Sequence, residues 1–100
     1  MWVTNDVFAN PPQDTILAET GPLNPGHLSV TLVLWSTPAG GLVDFLVRDA
    51  ANVDDVMVQL FTAAPAVAPL VLPVSVALNQ RVIVRMADNF TGQIQASLFW

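Results

Sequence analysis

HLSVTLVLW, residues 27–35, is the stretch whose reading decides the fold. Leu28, Val30, Leu32 and Leu34 fall on one side of an extended backbone, and His27, Ser29, Thr31, Val33 and Trp35 on the other. Side chains alternate across a strand with a period of two, so this pattern, rich in β-branched residues, reads as a half-buried strand. STPAGG (36–41) follows, a turn built from a proline and a glycine pair. LVDFLVRD (42–49) then alternates again: Val43, Phe45 and Val47 face one way, while Asp44 and Arg48 face the other with Leu46 between them. The two stretches read as an antiparallel hairpin.

Working outward, the same period recurs. AANVDD (50–55) is a polar connection, and VMVQLFTA (56–63) is a strand apolar enough on both faces to be central or covered. APAVAP (64–69) reads as an irregular crossing. LVLPVSVAL (70–78) is an edge or bulged strand, because Pro73 has no N–H to give to a ladder. RVIVRMAD (81–88) turns its Val82, Val84 and Met86 inward, and NFTG (89–92) is a turn. QIQASLFW (93–100) puts Ile94, Ala96, Leu98 and Trp100 on one face. QDTILAET (13–20) is the first strand of the main body, and GPLNPG (21–26) is the loop after it. Residues 1–12, with Trp2, Val3, Val7 and Phe8 before Pro11-Pro12, read as an arm that reaches toward a neighbour. No stretch keeps a helical stripe. Short strands at this spacing predict an all-β protein: a single β-sandwich, jelly-roll-like, with an N-terminal arm (1–12) and a sandwich domain (13–100).

Composition limits the function. The chain has 100 residues, 53% of them hydrophobic and only 11% charged. Ordinary soluble domains carry about 25% charged residues, so a monomer of this composition would expose apolar patches. Eight acids stand against Arg48, Arg81 and Arg85, with no lysine, for a net charge of −5. That balance repels nucleic-acid backbones and anionic membrane surfaces. The absence of cysteine excludes disulfides, thiolate metal sites and cysteine nucleophiles. Residues 56–80 are uncharged, but Pro65, Pro69 and Pro73 interrupt them, so a spanning helix is not expected. MWVTNDVFANPP lacks the basic and apolar regions of a secretory signal, which makes synthesis in the cytoplasm the expectation.

Candidate sites are sparse. Asp49, Asn52, Asp54 and Asp55 could offer oxygens to calcium, yet their spacing fits no EF-hand, and a solvated loop with Asx turns is the simpler reading. His27, the only histidine, has no nucleophile partner identifiable by spacing. Arg81 and Arg85 share one face of a strand and could pair with acids on a neighbouring strand or subunit, although the polar face of a sheet is the simpler reading. Asn89-Phe90-Thr91 fits the N-glycosylation pattern but falls in a turn without a secretory signal. Trp2, Trp35 and Trp100 could stack on sugars or anchor an interface. No catalytic, metal or cofactor residue is therefore assigned, no cofactor is expected, and the chain reads as non-enzymatic. The apolar excess points instead to burial in a homo-oligomer, with Trp2, Val3, Val7, Phe8, Trp35, Leu98, Phe99 and Trp100 as interface candidates.

A small, acidic, cysteine-free all-β chain with LNQRVIVRMADNFTGQIQASLFW at residues 78–100 resembles the decoration (cement) proteins of tailed-phage capsids. The resemblance lies in pattern and carries no diagnostic motif. It implies a trimer on the outer surface of a virion, made in the host cytoplasm, that binds the major capsid protein and stabilises the shell. A carbohydrate-binding or adhesion module is the second expectation, resting on the three tryptophans.

Overall fold

Alternating apolar residues become strands throughout the described residues. The computed structural model describes residues 1–62 and 69–100. The strands are β1 (Trp2–Thr4), β2 (Phe8–Ala9), β3 (Ile16–Glu19), β4 (Gly26–Thr37), β5 (Leu42–Arg48), β6 (Asp54–Phe61), β7 (Leu70–Val76), β8 (Arg81–Met86) and β9 (Gln93–Phe99). Among the described residues there is no helix, and so none long and apolar enough to cross a membrane.

The pairing is nested and antiparallel throughout. β5 pairs with β6, β4 with β7, β3 with β8, and β1 and β2 with β9. The chain is thus one long hairpin with its tip at the β5–β6 connection. Rolling that hairpin adds two further pairings, β4 with β9 and β5 with β8. The outcome is two sheets, ordered β1-β9-β4-β7 (with β2 also on β9) and β3-β8-β5-β6. This is a jelly-roll β-sandwich.

The sheets meet through the faces the alternation selected. Val30, Leu32, Val74, Val76, Ile94, Ala96 and Leu98 from the first sheet pack on Leu17, Ala18, Val43, Phe45, Val47, Val82, Val84 and Met86 from the second. Phe45 is the largest fully buried side chain. At roughly 1.5–3 kcal/mol for each fully buried Val, Leu, Ile, Phe or Met side chain, this layer is the main favourable term in folding.

Three expectations meet a different arrangement. Residues 27–35 and 42–49 do not form a hairpin: β4 and β5 lie in opposite sheets, and their apolar faces pack against each other through the core. The connection between them is a corner, fixed by buried polar groups. The Ser36 hydroxyl bonds to the Pro38 carbonyl and to the Thr62 hydroxyl, which also accepts the Gly41 N–H at 2.8 Å. Next, the strand expected at 56–63 to be central or covered is an edge strand, β6. Finally, the segment expected as an arm lies along β9 of its own chain, where Trp2 faces Phe99 and Phe8 faces Ile94. β7 is an edge strand, in keeping with Pro73. Apart from Pro69, the crossing expected at 64–69 lies outside the described residues.

Gly92 closes the corner from the other side. Its φ is +139°, and a Cβ there would sit 2.5 Å from the Thr37 carbonyl oxygen and 2.7 Å from Pro38 Cδ. The Gly92→Ala variant is expected to lose roughly 2–4 kcal/mol of stability, from a positive φ combined with a backbone clash. Chemical denaturation followed by circular dichroism measures this; a loss under 0.5 kcal/mol, the range of an ordinary surface substitution, would show that the corner is not held as described.

A charge-free sheet face as the candidate site

Charge is partitioned between the two sheets. The strands of the first sheet contain no Asp, Glu, Lys or Arg. Every charged strand residue (Glu19, Asp44, Arg48, Asp54, Asp55, Arg81 and Arg85) belongs to the second. The remaining acids, Asp6, Asp14, Asp49 and Asp88, sit in connections.

The outer face of the first sheet is therefore neutral. Strand register builds it in rows. Trp2, Phe99, Thr31 and Val71 cross all four strands in one row. Thr4, Ser97 and Val33 form the next, and Gln95 with Trp35 the one after. Their chain neighbours Val30, Leu32, Leu98, Ala96 and Ile94 are buried, which puts these rows on the far side. Trp2 and Phe99 stack with ring centroids 6.4 Å apart and planes 20° apart. Trp2 remains 65% exposed and Phe99 40%.

The connection between β1 and β2 walls one side of the face. Gln95 Nε2 donates to the Asn5 carbonyl at 2.8 Å, and the Ser97 hydroxyl donates to Thr4 Oγ1 at 2.7 Å. Between this wall and β4 lies a shallow depression of about 320 Å³ lined by Val7, Val33, Trp35, Gln95 and Ser97. An indole beside an amide and a hydroxyl, with no charge to desolvate, is suited to burial against another neutral surface.

The expected interface residues divide into two groups. Trp2, Val7, Trp35 and Phe99 are on or beside the neutral face. Leu98 is fully buried, and Val3, Phe8 and Trp100 pack on the core, so these four contribute to the domain's own interior. Sequence reasoning missed a second exposed group on β6 and β7: Val56, Met57, Phe61, Leu70 and Val71. The available signal is the two-faced apolarity of VMVQLF, which fits an exposed edge as well as the central or covered position expected of it.

The outer face of the second sheet is wetted by a compact ion network. Arg85 Nη1 donates to Asp54 at 2.7 Å and Nη2 to Asp44 at 3.1 Å. Arg48 Nε donates to Asp54 at 2.6 Å, and Gln59 Nε2 to Asp44 at 2.8 Å. Arg85 stands opposite Asp44, while Asp54 stands opposite Arg48. To reach Asp54, the Arg85 side chain must run along β5 past Leu46. Leu46 and Ile83, which pair with each other on this outer face between the network residues, are fully buried although they point away from the core.

The acids of the 49–55 loop are already engaged. Asp49 Oδ1 accepts the N–H groups of Ala51 and Val53, and Asp54 is held by the two arginines. Among the described residues no three His, Cys, Asp or Glu side chains are grouped to hold a metal ion. His27, the second residue of β4, is exposed opposite Ser75, and Arg81 reaches Asn52 at 3.3 Å.

No protein-family model matches the chain, and no curated protein shows significant similarity to it. What this surface does must therefore be argued from its own chemistry.

Asp54 gives the network a pH signature. Its hydrogen bond from Arg48 holds the carboxyl below the ordinary carboxylate range; partial burial opposes this, and the charges of Arg48 and Arg85 and the bond from Arg85 add to it. The same bond raises Arg48. A carboxyl depressed on folding stabilises the native state above its unfolded pKa, near 3.9, and loses that contribution as pH falls through the folded value. Asp54→Asn should thus destabilise the protein by about 1 kcal/mol at neutral pH, between the values for exposed and buried pairs. The difference from wild type should shrink below about pH 3.9. Urea denaturation of both proteins at a series of pH values checks this, and a pH-independent difference would assign the effect to packing alone.

Proposed function

We propose that this chain is a non-enzymatic structural protein of a virion, a capsid decoration protein that docks the neutral face of its first sheet on major capsid subunits and reinforces the shell. The single observation that carries the reading is the segregation of charge. A protein of net charge −5 that leaves one whole sheet without charged strand residues has one face on which another protein can sit with little ionic desolvation. Trp35 and the stacked Trp2–Phe99 pair supply aromatic anchors of the kind that concentrate binding energy at protein interfaces. The acidic remainder of the surface suits the outside of a shell, away from nucleic acid. The pattern-level resemblance to cement proteins supports the virion setting.

A second reading rests on the depression beside Trp35. At about 320 Å³ it is at the small end of ligand sites, and an indole flanked by Gln95 and Ser97 could receive a sugar ring.

Co-sedimentation with shells assembled from the major capsid protein of the same source tests the first reading. Wild-type protein is expected to pellet with shells to a saturating stoichiometry. Val33→Glu places a charge at the centre of the neutral face and should weaken binding at least tenfold while leaving the β-sheet circular dichroism unchanged. A wild-type protein that stays in the supernatant overturns the reading, as does a Val33→Glu variant that binds equally well. Saturable quenching of Trp35 fluorescence by an oligosaccharide, absent in Trp35→Phe, would establish the sugar reading in its place.

A further inference from the structure

β6 has the composition of a central strand and the position of an edge strand. Val56 is 43% exposed, Met57 47% and Phe61 71%, and among the described residues no strand lies on the outer side of β6. Edge strands normally carry a device that discourages further pairing. The other edges of this sandwich have one. β1 and β2 are three and two residues long and interrupted between. β3 is four residues long with a register shift inside it. β7 carries Pro73. β6 runs for eight residues without proline or lysine, and its one device is a register shift at Met57, between Val56 and Val58, in a strand twice the length of β3.

We propose that the outer edge of β6 is a self-association surface. A second copy pairs its own β6 antiparallel across a two-fold axis and joins two four-stranded sheets into one continuous sheet. Charge selects the occupant and its direction. Asp54 and Asp55 begin the strand, and Val56–Phe61 is uncharged. Antiparallel pairing brings the uncharged segments together at the axis and sends the acids to opposite ends, whereas parallel pairing would set acid beside acid. Asp54 is already neutralised by Arg48 and Arg85, so each copy brings one free carboxylate, Asp55, to the margin. Apolar contact extends onto the neighbouring sheet. Met57 borders a groove with Pro73, Val74 and Ser75, and Leu70 and Val71 are exposed at the start of β7. This contact meets the neutral face only at its margin, at Val71, and does not depend on the role given to that face. It predicts a two-fold assembly, not the trimer that the cement-protein resemblance implies.

Solution mass by sedimentation velocity, from low micromolar to millimolar protein, tests the proposal. Wild type is expected to reach twice the 10.7 kDa monomer mass. Met57→Lys/Phe61→Lys, at two exposed positions, is expected to remain monomeric over the same range with unchanged circular dichroism, a loss of affinity of at least tenfold. Amide hydrogen exchange gives the second readout: protection within 56–61 should rise with protein concentration in wild type only. Val33→Glu should dimerise normally. The proposal is overturned by a wild-type monomer throughout, by an oligomer that the double lysine variant leaves intact, or by a dimer that Val33→Glu dissociates. None of these outcomes depends on shell binding, so the two readings fail independently.

Discussion

A sandwich of this size has two outer faces and, here, only eleven charged side chains to wet them. That scarcity governs the rest of the structure. The charged strand residues gather on one sheet, where two arginines and two aspartates form a network dense enough to lay aliphatic stems over Leu46 and Ile83. Isolated exposed pairs contribute about 0–1 kcal/mol each. A network that also covers apolar surface does more, because part of its contribution is burial. The consequence is that no charged residue remains for the strands of the other sheet. Its outer face is finished with Thr, Ser and Gln around Trp2, Trp35 and Phe99, which is a surface suited to contact more than to water.

The strands from β3 onward are legible in the sequence, because period-two alternation separates the two faces of each strand, whereas β1 and β2 are too short to show it. Spacing alone points Val82 and Val84 inward and groups Val30 with Leu32, and Val43 with Phe45, on one face of their strands; all six are buried. The partnering of strands was not legible at the β4–β5 step. A hairpin and a corner between sheets present the same alternation on either side of a short turn. What separates them is the Ser36–Thr62–Gly41 cluster, in which Thr62 comes from 21 or more residues away and all three look like ordinary loop residues. The fate of outward-facing residues was also hidden. Leu46 and Ile83 are fully buried on the charged face, and their spacing alone does not distinguish that from exposure.

The candidate face was half legible. Trp2, Val7, Trp35 and Phe99 were identifiable as large apolar residues on the polar side of their strands or in a connection. Leu98, Phe8, Val3 and Trp100 were grouped with them because apolar residues near the two ends of the sequence looked uncovered. Nested pairing changes that: it brings the first strands beside the last, so that Val3 faces Leu98 and the Trp100 N–H donates to the Met1 carbonyl at 3.0 Å. Residues far apart along the chain become one edge, and half of the suspected surface becomes core. The charge-free character of the whole first sheet could have been read earlier only by knowing which strands share it.

The two surfaces are geometrically compatible. Antiparallel strands in one continuous sheet are related by a two-fold axis perpendicular to that sheet, so both partners turn the same face the same way. Joined through β6, two copies would carry their second sheets in one layer and their first sheets in the layer behind. Both neutral faces would then point in one direction, side by side. Such a pair would meet a shell through two equivalent patches, and the second contact would form at the high effective concentration set by the first. A modest face on a small domain could then hold firmly without an increase in its own area. The acidic network would face the opposite side, toward solvent. On this geometry the shortage of charge ceases to be a defect of the isolated domain, since each uncharged surface has a partner and the charged one has the water.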